Sequence, residues 1–467
     1  MERAQLSEAR YEKCWSLEEV AERIDVDPAT VARWEKGEST PRPANLRQLC
    51  KVFGKTVREL GFTEGYPVVT QNTTELEDTA DDTLASFRRQ DLTMRLMRIA
   101  WDWSTHNARY HELQMLISLE LEDNNSMNPD DSISRRDALR RLALLPIELC
   151  GLSALSAVLK RPTEEILAQC AAGITACWYL RKGKELAFAS DIVSKYLPTL
   201  KAIATQAAAP QRKAAADLLA QCFLLKSVLA WNVTTTSDAI SYAQQADIYS
   251  KETENSMLQI IALRTQAAAH CYANHWEQAL HAGEKARYLL EKAPGTPIPQ
   301  LVRSYVYAGV ATYQSYKGLK EDALLSLKKA HTTFFAQSAD EAVPIWVDHS
   351  VGNLLDNDGL THFHLGLYKE AIDSFKQVHE RYAHETTIPV SCRITTLIEQ
   401  IMAEVSRDDQ PRDMEWCIDC WTRGMEGAKT LQSAQRFNEA VQVYTAMQAA
   451  WPGEKRIKDL REYIVHW

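Results

Sequence analysis

Few residues in this chain combine a reactive side chain with a useful spacing. Cys417-Ile418-Asp419-Cys420 has the spacing of half a zinc site, His362-Phe363-His364 offers two imidazoles, and Gly54-Lys55-Thr56 ends like a phosphate-cradling loop. None is complete. A structural zinc site takes four ligands, and no second cysteine pair or nearby histidine accompanies Cys417 and Cys420. The two histidines fall on neighbouring helical positions rather than converging. Five residues before Gly54, where a phosphate loop carries glycine, stands Leu49. With no H-E-x-x-H, G-x-S-x-G or paired-glycine signature, the sequence reads as a protein without catalysis, cofactor or metal. Arg33 presents a planar guanidinium fork, the one strong hydrogen-bonding group on a short segment where Ala29 and Ala32 offer only methyl groups.

The elements around Arg33 can be read from their start signals. Ser16-Leu17-Glu18-Glu19 is a capping box, so a helix begins at Leu17, with Leu17, Val20, Ala21 and Ile24 on its apolar face. Asp27 as N-cap and Pro28 in the first helical position start a second helix that runs to Lys36 and stops at Gly37. Ala21 is the small residue where the helices touch. Val31 and Trp34 hold the second helix over Val20, Ile24 and Val26, and Asp25 takes the turn position usually given to glycine. Helices over Asn45–Phe53 and Val57–Leu60 complete a five-helix domain.

Ser16-Leu17-Glu18-Glu19-Val20-Ala21, Val31-Ala32-Arg33-Trp34-Glu35-Lys36-Gly37 and Thr40-Pro41-Arg42-Pro43 together resemble the Xre (Cro/phage-repressor) helix-turn-helix family. The resemblance implies that the helix Pro28–Lys36 enters the major groove of double-stranded DNA. Carried over by position, Asp27, Pro28, Ala29, Ala32 and Arg33 face outward with Thr30 and Lys36 beside them, and Arg33 is the strong base-reader, its fork suited to guanine O6 and N7. Lys36, Thr40 and Arg42 then contact phosphates, with Arg47 and Lys51 as weaker candidates. Leu17 departs from the pattern, since the family often places there a glutamine that helps contact the operator. Residues 1–27 hold four basic and eight acidic groups, whereas residues 28–62 hold seven basic and three acidic, so positive charge gathers around the second helix.

Residues 63–86 follow as an acidic linker, with six acids and no base between Thr63 and Thr83. Residues 87–162 return to helical periodicity as a connecting region. From residue 163 to 467 the chain repeats a motif centred on a small residue early in a second helix, clearest at Ala279, Ala323 and Ala371 and weaker at Ala187, Ala239 and Cys417. The centres lie 52, 40, 44, 48 and 46 residues apart, with Gly318 and Gly366 in turns and Ala267, Ala311 and Gly359 upstream as points of close approach. These features resemble tetratricopeptide repeats, drawn out beyond the ideal period of about 34 residues. The resemblance implies a solenoid whose first helices line a concave groove for a peptide or protein effector. Register places Gln221, Asn232, Arg264, Tyr272, Tyr305, Thr312, Tyr316, Asn353, Asp356 and His364 in that groove. The segment Phe437–Trp467 reads as a hairpin that caps the stack.

Composition agrees with an all-α chain: 467 residues contain only 17 Gly and 16 Pro. A net charge of -9, from 53 basic and 62 acidic residues, leaves no polycation for nonspecific nucleic-acid binding, so any contact with DNA is local. Ten dispersed cysteines suit a reducing, cytoplasmic setting. The apolar stretch Leu142–Leu159 is interrupted by Pro146 and Glu148 and reads as a buried helix, not a membrane span. The expected fold is a five-helix Xre-type helix-turn-helix domain, a helical connecting region and a tetratricopeptide-like α-solenoid. The combination resembles peptide-responsive transcriptional regulators, which implies a homodimer that moves its DNA-reading helices when an effector binds. The alternative is a repeat scaffold or signalling adaptor whose N-terminal domain serves docking or weak DNA tethering.

Overall fold

The computed structural model describes residues 4–60 apart from 14, 25, 37–38, 40, 42–44, 46–47, 50–51, 54 and 56–59, the single residues 96 and 99, and residues 110–123, 129–150 and 162–465 apart from 254, 293–297, 337–342, 383–388 and 409–410. Several expectations lie outside these residues: the linker 63–86, the turn at Asp25, the stop at Gly37, and Thr40, Arg42, Arg47 and Lys51. The expected helices over Asn45–Phe53 and Val57–Leu60 are described only in part. No strand occurs among the described residues. The chain divides into two compact units, Met1–Phe87 with Leu121–Ser126, and Arg88–Glu120 with Met127–Trp467.

The first unit opens with α1 (Ala4–Glu12), which carries no sequence capping signal, followed by α2 (Leu17–Arg23) and α3 (Pro28–Glu35). The capping box forms as spelled. The Glu19 amide donates to Ser16 Oγ at 3.2 Å and the Ser16 amide to Glu19 Oε2 at 2.7 Å. Asp27 Oδ1 accepts from the Ala29 amide at 2.8 Å, with Pro28 in the first turn. Val20, Ala21, Ile24, Val31 and Trp34 are buried with Leu6, Ala9, Leu49, Phe53 and Leu60, and Val26 packs at the edge. Leu6 and Ala9 bring α1 into the core that the period of α2 and α3 marks out.

In the second unit, α4 (Tyr110–Asp123, which belongs to this unit as far as Glu120) and α5 (Pro129–Cys150) precede a run of antiparallel helix hairpins. They are α6 (Thr163–Lys182) with α7 (Leu186–Gln206), α8 (Ala209–Val233) with α9 (Thr236–Lys251), and α10 (Ser256–Tyr272) with α11 (Trp276–Lys292). Three more follow: α12 (Gln300–Tyr316) with α13 (Lys320–Phe335), α14 (Val351–His364) with α15 (Tyr368–Tyr382), and α16 (Val390–Ser406) with α17 (Met414–Leu431). Each motif centre, from Ala187 to Cys417, falls near the start of the second helix of its pair, including the three weaker copies. Then come α18 (Ala434–Ala450), α19 (Lys455–Asp459) and α20 (Arg461–Val465).

The two helices of a hairpin differ in composition because they differ in burial. Second helices are amphipathic: α11 buries Ala279, Ala282, Gly283, Ala286 and Leu290, a single stripe at helical spacing. First helices are covered on most sides, and α12 is buried continuously from Val306 to Ser315. Among the described residues only α8 is long and apolar enough to cross a membrane, and 78% of that apolar window is buried. Leu142, Ala143 and Leu145, in the apolar stretch of α5, are buried as well. Gly318 and Gly366 make their turns at φ +70° and +73°, and Asn274 does the same work at φ +59° between α10 and α11.

The C-terminal hairpin is more than an end cap, which corrects the expectation for Phe437–Trp467. Helix α18 starts three residues earlier, at Ala434, and packs against α8. There Asn232 Oδ1 accepts from Ser433 Oγ at 3.2 Å and from Arg436 Nε at 3.4 Å. A second long-range tie joins α6 to the segment before α14, where Arg181 pairs with Asp348. The stack therefore turns back on itself, and what a simple solenoid leaves as an open groove becomes a walled cavity.

Close approach is a testable part of this packing. A Cβ on Gly359 would sit 2.4 Å from Phe375 Cε1, and the Phe375 ring is fully buried. Gly359→Ala should destabilise the protein by about 1–3 kcal/mol through overpacking. Gly183→Ala, whose Cβ meets only the Leu180 carbonyl oxygen at 3.6 Å, should be near neutral. Thermal melts of the two variants check this, and equal melting temperatures would contradict it.

Candidate functional site

Each unit presents one candidate surface. In the first, α3 is buried through Val31 and Trp34 and turns its opposite side outward. Asp27, Ala29, Arg33 and Lys36 are exposed, and Pro28, Thr30 and Ala32 are half-buried beside them. Arg33 folds back along its helix, donating from Nε to the Ala29 carbonyl at 3.3 Å and from its terminal nitrogen to Thr30 Oγ1 at 3.0 Å. These are exposed bonds that cost little to exchange for another acceptor. The helix itself is held from behind: Arg10 of α1 forms a two-pronged pair with Glu35, at 2.7 and 2.9 Å, and donates to the Trp15 carbonyl at 3.2 Å. The Glu35 hydrogen bonds push the Arg10 pKa up against the effect of burial. Neither Arg10 nor its pairing with Glu35 is signalled by helical periodicity, because an ion pair between elements leaves no mark on the pattern of either one.

In the second unit a cavity of about 620 Å³ is lined by the first helices of the hairpins and by α18. Of the residues expected in the groove, Arg264, Tyr272, Tyr305, Thr312, Tyr316, Asn353 and Asp356 line it. Three do not, and each is taken by a neighbour. Gln221 is buried, accepting from Gln114 Nε2 of α4 at 2.8 Å and donating to Asp217 at 2.7 Å, so α4 closes that end. Asn232 is consumed by the return contact with Ser433 and Arg436. The His364 ring lies against Tyr316, with centroids 3.6 Å apart. Register alone did not single out Trp178, Arg181, Trp231, Trp346, Asp348, Glu399, Asn438, Glu439 and Gln442, which also line the cavity. The α18 residues among them are brought in by the return of the chain, which no local pattern encodes.

The charges of the cavity fall into spent and unspent groups. Arg181 is paired with Asp348, and Glu439 with Arg436 at 2.6 Å. Burial pushes the Asp348 carboxyl up, but Arg181 and Lys182 outweigh it and leave the pKa lowered. Arg264 is different. Its guanidinium lies 4.3 Å from the Tyr305 ring centroid and 5.8 Å from that of Tyr313, over Gly309, where a Cβ would come within 2.8 Å of Nε. It is 9% exposed, its Nε has no hydrogen-bond partner, and no carboxylate among the described residues pairs with it. Burial alone would favour its neutral form, yet the Tyr305 and Tyr313 surroundings leave its pKa raised, so the charge persists. Nearby His349 is held neutral, its pKa lowered to about 3 by burial and by the Arg264 charge, and it shares a 2.9 Å hydrogen bond with Ser304.

The acidic groups of the cavity outside those pairs are Asp356 of α14 and Glu399 of α16. Thr396 donates to Asp356 Oδ1 at 2.7 Å, while Glu399 Oε2 is buried without a partner. Burial raises the Asp356 pKa to about 6, opposed by the Thr396 hydrogen bond and by Arg436. Burial, then the charges of Asp356 and Glu439, raise Glu399 well above the usual carboxyl range. Aromatic pairs form the remaining wall, with Trp276 stacked on Tyr316 at 3.9 Å and Trp231 on Tyr272 at 4.7 Å. Nothing resembling a metal centre accompanies them: among the described residues no three His, Cys, Asp or Glu side chains are placed to hold an ion. Cys417 and Cys420 are buried core residues, with Gln400 Nε2 donating to Cys420 Sγ at 3.1 Å.

Comparison with known proteins places the first unit. Residues 6–60 match the helix-turn-helix family, so the chain carries an Xre-type helix-turn-helix domain ahead of its helical hairpins. No curated protein matches the chain. Among solved structures, that of phAimR with its ligand is similar at 9% identity, covering 80% of this chain and 100% of that one, with a TM-score of 0.40. PlcR of Bacillus thuringiensis, in complex with the peptide PapR7 and DNA, is 11% identical over 72% of this chain and 95% of that one, with a TM-score of 0.27. A Pyrococcus horikoshii signal-transduction ATPase with a tetratricopeptide-repeat sensor is 13% identical over 96% of this chain and 65% of that one, at 0.34. Likenesses this low carry no functional inference for this chain.

The acid pair has a measurable signature. A carboxyl whose pKa is raised in the native state keeps a proton that the unfolded chain has already released above about pH 4.3. The native state then loses stability as the pH climbs from that value toward the raised pKa. Glu399→Gln removes the loss. Its melting temperature should exceed that of the wild type at pH 8, with the gap closing toward pH 4.5. A difference that does not change with pH would contradict the assignment.

Proposed function

We propose that this protein is a cytoplasmic, sequence-specific transcriptional regulator that reads double-stranded DNA with α3 and binds a peptide or protein effector in its helical-repeat unit. The observation that carries the reading is the two-sidedness of α3. Val31 and Trp34 anchor one side in the core and Arg10 clamps Glu35, while Asp27, Ala29, Arg33 and Lys36 stand free of the domain that holds them. A rigid helix with an accessible guanidinium meets the geometric need of major-groove recognition. Thr40 and Arg42 remain the proposed phosphate contacts beside Lys36.

The effector side of the proposal draws on the cavity: a walled, aromatic space with a few uncommitted polar groups has the make-up of a ligand site. A homodimer is proposed on the same reasoning, because two copies of α3 set about 34 Å apart would meet successive major grooves. An effector that changes the arrangement of the copies would then change affinity for DNA.

Selection from a random duplex pool, followed by binding titrations at several salt concentrations, tests the DNA reading. The full chain should select a defined sequence, and Arg33→Ala should weaken it by about 1–3 kcal/mol while relaxing the preference at one base position. Wild type and Arg33→Ala binding every duplex alike would sink it.

A further inference from the structure

We propose that the cavity binds a short peptide by its two ends of charge, with a free C-terminal carboxylate seated on Arg264 and a basic side chain or amine seated on the Asp356 and Glu399 pair. This rests on the effector reading above and names the chemistry of the ligand.

Two uncommitted charge groups on one cavity motivate it. Every other strong charge on the wall has a partner: Arg181 holds Asp348, and Arg436 holds Glu439. Arg264 has none, although it is nine-tenths buried and its Nε is without a hydrogen bond. A buried guanidinium without a counter-charge is costly to a fold. Here the aromatic faces of Tyr305 and Tyr313 and the space above Gly309 hold it in place without neutralising it. A planar fork so held is the donor geometry that a carboxylate fits two-pronged.

The carboxyl pair mirrors this arrangement. Asp356 is fixed by Thr396, and the Glu399 Oε2 atom is buried with no donor. Both line the same cavity as Arg264. A cation seated between the two carboxyls would favour their ionised forms and satisfy the bare oxygen at once. On the same lining, Asn438 and Gln442 of α18 expose amides able to pair with a peptide backbone, and the Trp231 and Trp276 stacks supply apolar wall. The volume of about 620 Å³ admits a short segment rather than a folded domain.

The test exposes the full-length protein to two random hexapeptide pools, identical except that one ends in a free carboxylate and the other in an amide. Retained peptides are identified by mass spectrometry after gel filtration. The free-acid pool should be retained at least about tenfold over the amide pool, and its retained members should be enriched in Lys and Arg. Arg264→Gln should erase the acid-over-amide preference and Arg264→Lys, which keeps the charge but not the fork, should keep only part of it, while Glu399→Gln should erase the basic enrichment with the acid preference intact. The acid-against-amide comparison is made on the wild-type chain, so it decides the matter even if Arg264→Gln fails to fold. Retained peptides with no acid preference and no basic enrichment would overturn this inference and leave peptide binding standing. Retention of nothing from either pool would overturn the effector reading together with it.

Discussion

Arg436 is 1% exposed, and its guanidinium reaches a residue 204 positions earlier in the chain, Asn232 at the end of α8. It also pairs with Glu439 at 2.6 Å and lies 5.2 Å from the Tyr272 ring centroid. Burial opposes its charge, and Glu439 together with Tyr272 overcomes that opposition, leaving the pKa raised. A charge buried this deeply is costly unless it is met, and the guanidinium here is met by groups on three different helices. The cavity depends on that agreement. If α18 did not return to α8, Asn438, Glu439 and Gln442 would not share a cavity lining with Glu399, and that side of the groove would lack its wall.

The same logic of a clamp behind a working surface governs the first unit. Arg10 and Glu35 fix α3 by its hidden side, so that the exposed side needs no internal contacts stronger than the bonds of Arg33 to Ala29 and Thr30. Arg33 is thereby ordered yet available. In the second unit, Arg264 is placed by aromatic faces and a glycine, and Glu399 by its neighbours on α14 and α18. Groups held in position without being satisfied are a cost to stability that a ligand can offset.

Local signals in the sequence translated closely into structure. The Ser16 capping box, the Asp27 cap with Pro28 and the small residue Ala21 each depend on residues within a turn or two, and each is where the pattern puts it. The hairpins were legible for the same reason, including the faint ones at Ala187, Ala239 and Cys417, because a second helix needs a small residue near its start to approach its partner. Seven of the groove residues read from register do line the cavity. Gln221, Asn232 and His364 have the right register too, but a helix from earlier in the chain, a helix from its end and a neighbouring ring claim them. The α1 clamp and the α18 return were illegible, since both are contacts between distant elements and alter no local period. Glu399 escaped because its importance lies in what it lacks, a partner, and that is a property of packing.

The measurement that bears most directly on the return of α18 to α8 is hydrogen–deuterium exchange of the full chain, wild type against Arg436→Met. A return held through Arg436 predicts faster exchange in α18 and, some two hundred residues away, at the C-terminal end of α8 around Asn232, with α12 and α13 unchanged. Loss of protection confined to α18, with α8 exchanging as before, would contradict it.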